Sequence, residues 1–292
     1  MLKIICIPAY NEEKNISMVV QNCLKYSDKV VVCDDGSNDL TSLEAEKAGA
    51  VVIKHAKNQG KGAALKSLFN FSKDLAPDVM VTIDGDGQFL SEEIPKIIKP
   101  IIDGIADIVI GYRFDDNSQM PTYRKYGNKF FDKMTNLASE LPFRDSQSGF
   151  RAYSKKAVNM ISFSTNGFGV DSEILIDASK KGLKVVEEKV TVLYNIGTPT
   201  STKNPIFQSS DVLGSLIELI ALRHPLKYLG LPGIVLLVIG IIYSVVVAVI
   251  FNDTRYFSIP STLVALGSLM AGLMLFLMSI ILFSINRAMQ KL

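Results

Sequence analysis

Two apolar stretches, Leu231–Phe251 and Ile259–Ile285, contain no Asp, Glu, Lys, Arg or His. The first is 21 residues long. As a helix rising about 1.5 Å per residue it reaches roughly 30 Å, the hydrocarbon thickness of a bilayer. The second repeats the pattern, with Gly267 and Gly272 as expected close-packing points. The linker Asn252–Ser258 is short, so the pair reads as a transmembrane hairpin. Arg223 and Lys227 flank one side and Arg287 and Lys291 the other, which sends both flanks to the cytoplasm and the linker outward. Two buried core helices would be the alternative, but both runs are long and uncharged. No acidic or basic side chain lies within either span, which argues against a proton or ion pathway.

From Leu231 onward the only charges are Asp253, Arg255, Arg287 and Lys291, so almost all of the 31 basic and 29 acidic residues precede the hairpin. That front portion is close to neutral, which excludes a basic nucleic-acid binder. Cys6, Cys23 and Cys33 have no metal-ligand spacing and read as buried free thiols of a reducing compartment. His55 and His224 stand alone and make no zinc site. The first strand begins at Leu2, which leaves no room for a signal peptide and predicts a cytoplasmic amino-terminal domain.

Short β-rich runs alternate with helical patterns through this front portion. Strands are predicted at Lys3–Ile7, Lys29–Cys33, Ala50–Lys54, Val79–Ile83 and Asp107–Ile110, and helices at Glu12–Tyr26, Asp39–Ala48, Gly62–Asp74 and Glu92–Ile101. Ile16, Val19, Val20, Cys23 and Leu24 share one helical face. Alternating β and α with continuous apolar strands predicts an α/β domain with a parallel sheet covered on both faces. Further on, Tyr123–Glu140 and Asp171–Lys181 read as helices, Lys184–Glu188 and Thr191–Tyr194 as strands, and Gly197–Pro205 as a loop. Phe207–Leu222 reads as an amphipathic helix, lying either on a membrane surface or against the globular domain. Three regions follow: 1–205, 206–230 and 231–292, with spans at about 231–251 and 259–285.

In a parallel sheet ligands gather beyond the carboxyl ends of the strands. Acidic clusters stand at three such ends. They are Pro8-Ala9-Tyr10-Asn11-Glu12-Glu13, Asp34-Asp35-Gly36-Ser37 and Asp84-Gly85-Asp86-Gly87-Gln88. Paired carboxylates on a turn are hard oxygen ligands, suited to Mg²⁺ or Mn²⁺ bridging to substrate phosphates. A capped polar turn is the plainer reading of Asp84 and Asp86, and a helix cap that of Asp34 and Asp35. The Gly60-Lys61-Gly62 loop fits neither the Walker nor the dinucleotide fingerprint, and is equally a tight turn or a phosphate contact.

Taken in order, these three motifs with Asn58-Gln59-Gly60-Lys61-Gly62-Ala63-Ala64 and Asp145-Ser146-Gln147-Ser148-Gly149-Phe150-Arg151 resemble the inverting family-two glycosyltransferases of the GT-A fold. The set is most similar to the dolichyl-phosphate mannose synthase and polyprenyl-phosphate glucosyltransferase branch, over residues 1 to about 205. The resemblance implies that Pro8, Tyr10 and Glu12 line the base and ribose site and that Asp35 contacts the nucleoside. It further implies that Asp84 and Asp86 hold the metal on the donor diphosphate, with Gly85 and Gln88 beside them. The resemblance also implies that Arg113 and Arg124 bind phosphate groups of acceptor or donor, as the matching positions do in the family. Taken singly, each of Arg113, Arg124 and Arg151 is equally a surface charge. Asp171 and Glu173 fall where sugar-acceptor relatives keep a base, yet a phosphate acceptor is already ionised near neutral pH and needs none. The branch often carries an arginine before a Gly-x-Ser-Lys loop. Here Tyr194–Lys203 lacks it and keeps only Lys203 for the phosphate contact, which leaves the donor sugar open. No tryptophan is present, so the Gln-x-x-Arg-Trp signature of processive synthases is missing.

The resulting expectation is a membrane-anchored enzyme of two spans with both termini cytoplasmic. It moves one hexose from a nucleotide-diphosphate donor (GDP-mannose or UDP-glucose type) to a polyprenyl or dolichyl phosphate with inversion. Its catalytic residues are Asp86, Arg113 and Arg124, and its partners are donor, lipid acceptor and bilayer, with no nucleic acid. A homo-oligomer is compatible with such a chain. The rivals are transfer to a diacylglycerol or lipid-linked saccharide, and a non-catalytic nucleotide-sugar-binding scaffold.

Overall fold

The computed structural model describes residues 1–113, 129, 132–133, 135–136, 139, 141–164, 169–193 and 225–289. The chain folds as two compact units, Met1–Leu216 and Ile217–Leu292.

The first unit is built on a seven-stranded sheet. Its strands are β1 (Lys3–Ala9), β2 (Lys29–Asp34), β3 (Val51–Lys54), β4 (Val79–Thr82), β5 (Ile108–Tyr112), β6 (Arg151–Ser154) and β7 (Val185–Lys189), in the spatial order β3-β2-β1-β4-β6-β5-β7. The β1–β2, β1–β4, β2–β3 and β5–β7 pairs are parallel, whereas β6 runs antiparallel to both neighbours. The helices that lie wholly within the described residues include α1 (Ile16–Leu24), α2 (Thr41–Lys47), α3 (Lys61–Leu75), α4 (Ile94–Ile102), α5 (Lys155–Met160) and α6 (Val170–Lys180). Alternate side chains of β1 face two separate cores. Ile5 and Ile7 meet α1 and α4 residues such as Val20 and Ile97, while Ile4 and Cys6 meet Leu68 and Phe69 of α3. A strand buried on both faces has no polar positions to spare, which is why these runs read as continuous hydrophobic segments.

Strand order reverses between β2 and β4 on either side of β1, making the carboxyl ends of β1 and β4 a topological switch point. Pro8 lies beyond the β1–β4 ladder, which covers only Lys3–Cys6. Cys6, Cys23 and Cys33 are buried and free. Burial pushes their thiols up to about 12, 11 and 12, far from reactive thiolates.

Several expected boundaries move. The first helix starts at Ile16 rather than Glu12, because the Glu12 carbonyl accepts from the Asn15 and Ile16 amides and the residues before it form a turn. Strand β6 and helix α5 were not expected as elements; Arg151–Ser154 carries a charge in its first position and offers no apolar run. Of the expected strand at Thr191–Tyr194, Tyr194 lies outside the described residues and Thr191–Leu193 carries one antiparallel bridge, Phe89 with Val192. The amphipathic helix Phe207–Leu222, the loop Gly197–Pro205 and most of Tyr123–Glu140 lie outside the described residues.

In the second unit a π turn at Leu226–Gly230 runs into α7 (Leu231–Thr254), and α8 (Ile259–Met289) follows. Both are long and apolar enough to cross a membrane, and their apolar side chains are mostly exposed, unlike those of a soluble core helix. The two helices pack through small residues. A Cβ on Gly233 would stand 2.9 Å from the Gly272 carbonyl, and one on Gly240 2.9 Å from the Leu269 amide. Gly233 and Gly240 are two turns apart and so share a face. Gly272 is a close-packing point as expected, its Cβ position 2.7 Å from the Leu237 amide, but Gly267 faces open space and is not.

Candidate active site

The turn after β4 carries Asp84 and Asp86. The Asp86 side chain accepts from the Gln88 amide at 3.0 Å, the capped turn that the sequence also allowed. This does not consume the pair, since Asp84 projects beside it, 30 % exposed. Gly149 makes that projection feasible, because a Cβ there would overlap the Asp84 carboxylate. Thr82 Oγ1 donates to the Gly149 carbonyl at 3.1 Å and fixes the approach.

Glu12 faces the same carboxylates. Burial, then the Asp86 charge, with smaller contributions from Asp84 and Asp39, push Glu12 up to about 7 against a weak hydrogen bond from Asn15. Asp86 rises to about 6 through burial and the Asp84 charge, opposed by the Gln88 amide, Lys61 and Arg113. Carboxylates crowded until their charges repel are an arrangement that a cation relieves. Among the described residues no group of three or more His, Cys, Asp or Glu side chains could hold an ion unaided. Asp84 and Asp86 offer two hard oxygen donors, and a divalent ion there would need its further ligands from elsewhere.

The β1 tip is laced to the loop after β2. Asn11 adopts a left-handed φ of 57° and its side chain accepts from the Asn38 amide at 3.0 Å. The Asn11 amide donates to Ser37 Oγ at 2.9 Å and the Glu12 amide to Thr41 Oγ1 at 2.8 Å. Pro8 and Tyr10 are half-buried on this rim. Asp34, fully buried, accepts from the Ser37 amide and Ser42 hydroxyl and so holds the loop together.

Asp35 is 3 % exposed. Its carboxylate meets His55 Nδ1 at 2.6 Å and accepts from the Gln59 amide at 3.1 Å and the Gly60 amide at 2.7 Å. Those two loop amides face an aspartate of the protein. Gly60, at a φ of 97° that L side chains rarely adopt, then turns the chain into α3. Ser67 Oγ lies 2.9 Å from His55 Nε2 and completes the row. His55 is thus no bystander, although a lone histidine gives no sign of this in sequence.

Lys61, the first residue of α3, reaches across to Asp84 Oδ1 at 3.1 Å and Asp171 Oδ2 at 3.3 Å. Burial disfavours its charge, but Asp171 and Asp84 outweigh that and raise its pKa. Asp171 is 5 % exposed and faces Arg151 Nη2 at 3.7 Å. Arg151 is fully buried, donating to the carbonyls of Ser148, Asp171 and Ser146 at 2.9, 2.9 and 2.7 Å. It is therefore a structural anchor rather than a surface charge. Glu173 accepts from the Ser164 amide and hydroxyl. Arg113, after β5, forks onto buried Asp145 at 2.7 and 2.8 Å. Arg124 and Lys203 lie outside the described residues.

Asp132 accepts twice from Ser146, while its Oδ2 lacks a hydrogen-bond partner. Burial, offset by the Ser146 hydroxyl and reinforced by Asp145, pushes it up to about 7. Its unfolded value is about 4, so between the two the folded state binds the extra proton and stability falls as pH rises. Asp132→Asn should melt roughly 5 °C above the parent at about pH 8 and close to it at about pH 5. Parallel melting curves across that range would show that Asp132 does not titrate with folding.

The carboxylate pair stands at the switch point of this α/β sheet, where such folds bind their ligands. The family profile described as "Glycosyl transferase family 2" matches residues 4–161. The chain belongs to this family and is a glycosyltransferase of the GT-A fold. It is 34% identical over 211 residues to a UDP-N-acetylglucosamine–dolichyl-phosphate N-acetylglucosaminyltransferase of Methanococcus voltae, covering 64% of this chain and 84% of that one. It is 31% identical over 223 residues to a dolichyl-phosphate hexose transferase of Haloferax volcanii, covering 75% and 93%. Among solved structures, glucosyl-3-phosphoglycerate synthase from Mycobacterium tuberculosis in complex with Mn²⁺, uridine diphosphate and phosphoglyceric acid superposes with a TM-score of 0.59 at 20% identity, covering 75% and 78%. That likeness is one of fold.

Proposed function

We propose that this glycosyltransferase moves one hexose-type sugar from a nucleotide diphosphate to a polyprenyl phosphate, with inversion, at the cytoplasmic face of a membrane that it spans twice. The observation that carries the reading is the Asp84–Asp86 pair at the tip of β4, at the switch point and facing Glu12. The names of the dolichyl-phosphate relatives support the acceptor. A divalent ion, Mg²⁺ or Mn²⁺, held by Asp84 and Asp86 supplies charge stabilisation to the departing diphosphate. Pro8, Tyr10, Glu12 and Asp35 line the nucleoside side, with Gly85 and Gln88 on the metal turn. Arg113, with Arg124 and Lys203, serves the phosphates. An oxygen of the lipid phosphate attacks the anomeric carbon in line as the bond to the diphosphate breaks. Residence in the same bilayer as a lipid acceptor raises the acceptor's effective concentration.

The state of the two candidate bases favours a phosphate over a hydroxyl acceptor. Asp171 is paired with Lys61 and Arg151, and Glu173 accepts from the Ser164 amide and hydroxyl. A hydroxyl acceptor needs a base within reach, whereas an ionised phosphate does not. The test is to incubate membranes holding the protein with polyprenyl phosphate, Mn²⁺ and, in turn, labelled UDP-N-acetylglucosamine, UDP-glucose and GDP-mannose. Label from one donor should enter the organic phase as an acid-labile sugar phosphodiester, and Glu173→Gln should retain it. Label in no organic phase contradicts the reading, and loss of all transfer in Glu173→Gln points instead to a hydroxyl-bearing lipid.

A further inference from the structure

Lys61 stands where a metal ligand is shared. Its ammonium is 3.1 Å from Asp84 Oδ1, an oxygen the proposed ion would use, and 3.3 Å from Asp171 Oδ2. The Asp171 carboxylate already has a fixed cationic partner of its own, since its Oδ1 faces the buried Arg151 guanidinium at 3.7 Å. The lysine thus has two seats, one contested and one reserved. It begins α3 directly after Gly60, whose amide is tied to Asp35, so the backbone that presents it is fixed and only its four-carbon stem can swing.

We propose that Lys61 is a built-in counter-cation that competes with the divalent ion for Asp84, and that Asp171 is the positioning residue that receives Lys61 when the ion is seated. This rests on reading Asp84 as a metal ligand. Two cations cannot share one carboxylate oxygen without mutual repulsion, which at close range inside a partly buried site is strong. Free divalent ion therefore binds the protein weakly. A donor diphosphate adds oxygen ligands and negative charge, and so tips the competition toward the metal. The device couples ion to donor, so that the site fills with the pair rather than with metal alone.

The test is Mn²⁺ binding to the purified full-length protein without donor, read by the electron paramagnetic resonance signal of free Mn²⁺. Lys61→Met should tighten binding about tenfold, and Lys61→Arg, which keeps the charge, should stay near the parent. Asp171→Asn removes the reserved seat, leaves the ammonium on Asp84 alone, and should weaken binding. A merely structural role for the ion pairs would move Lys61→Met and Asp171→Asn in the same direction. Asp84→Asn should abolish the tightening seen in Lys61→Met. Unchanged or weaker binding in Lys61→Met, while the parent still needs Asp84 for metal-dependent transfer, overturns the competition. A parent whose transfer ignores both Asp84 and metal would instead remove the reading on which it rests.

Discussion

Asp84→Asn should lower sugar transfer to polyprenyl phosphate by about three orders of magnitude while leaving the protein folded. The first half follows from chemistry. Cleavage of the sugar bond gathers charge on the diphosphate, and preorganised charge stabilisation at such a centre is typically worth about a hundred- to a thousandfold per contact. Asparagine keeps one oxygen but loses the charge that draws a dication to the β4 tip. The second half follows from exposure. Asp84 is 30 % exposed and its ion-pair partner Lys61 retains Asp171, so no buried charge is stranded. Transfer should be read as labelled lipid per enzyme, with far-ultraviolet circular dichroism as the control. Asp86→Asn should behave alike, since burial and the Asp84 charge disfavour its carboxylate and a cation would relieve both. Full transfer by Asp84→Asn would sever the carboxylate pair from catalysis.

Arg151→Met should have the opposite character: a fold lost rather than a step. Arg151 satisfies three backbone carbonyls and faces Asp171 from a fully buried position. Its removal leaves three buried carbonyls without their donor and Asp171 with Lys61 alone, at a cost of about 3–5 kcal/mol, a large part of a typical domain's stability. The loss falls on β6, the antiparallel strand that joins β4 to β5 in the sheet. Pulse proteolysis in detergent should show the first unit opening at much lower denaturant, with Arg151→Lys between parent and methionine. Equal resistance in Arg151→Met would mean that the network adds little to the fold.

Sequence periodicity revealed most of the sheet because its central strands are buried on both faces, and a strand such as Val79–Thr82, buried at every position, is almost wholly apolar. Strand β6 escaped for a physical reason. Its leading residue is a buried arginine whose polar atoms are satisfied by carbonyls of the preceding loop and of α6, and no local pattern encodes that. The acid clusters at the tips of β1, β2 and β4 were legible because strand ends converge by topology. What each acid does was not. Asp35 and Asp86 look alike in a row of letters, yet Asp35 is tied to His55 and two amides while Asp86 strains against Asp84. Lys61 and Asp171 are 110 positions apart and meet only because α3 and α6 flank the same core. Likewise, two of the glycines that join α7 to α8, Gly233 and Gly240, were hidden among many apolar residues, and helical phase alone separates Gly272 from outward-facing Gly267.

The decisive measurement is anomalous scattering at the manganese edge from crystals grown with Mn²⁺ and a nucleoside diphosphate. One peak should bridge the Asp84 and Asp86 carboxylates and the diphosphate oxygens, with the Lys61 ammonium withdrawn toward Asp171. Manganese located elsewhere, or nucleotide bound with Lys61 still on Asp84 and no ion between the acids, would contradict a metal-assisted transfer at the β4 tip.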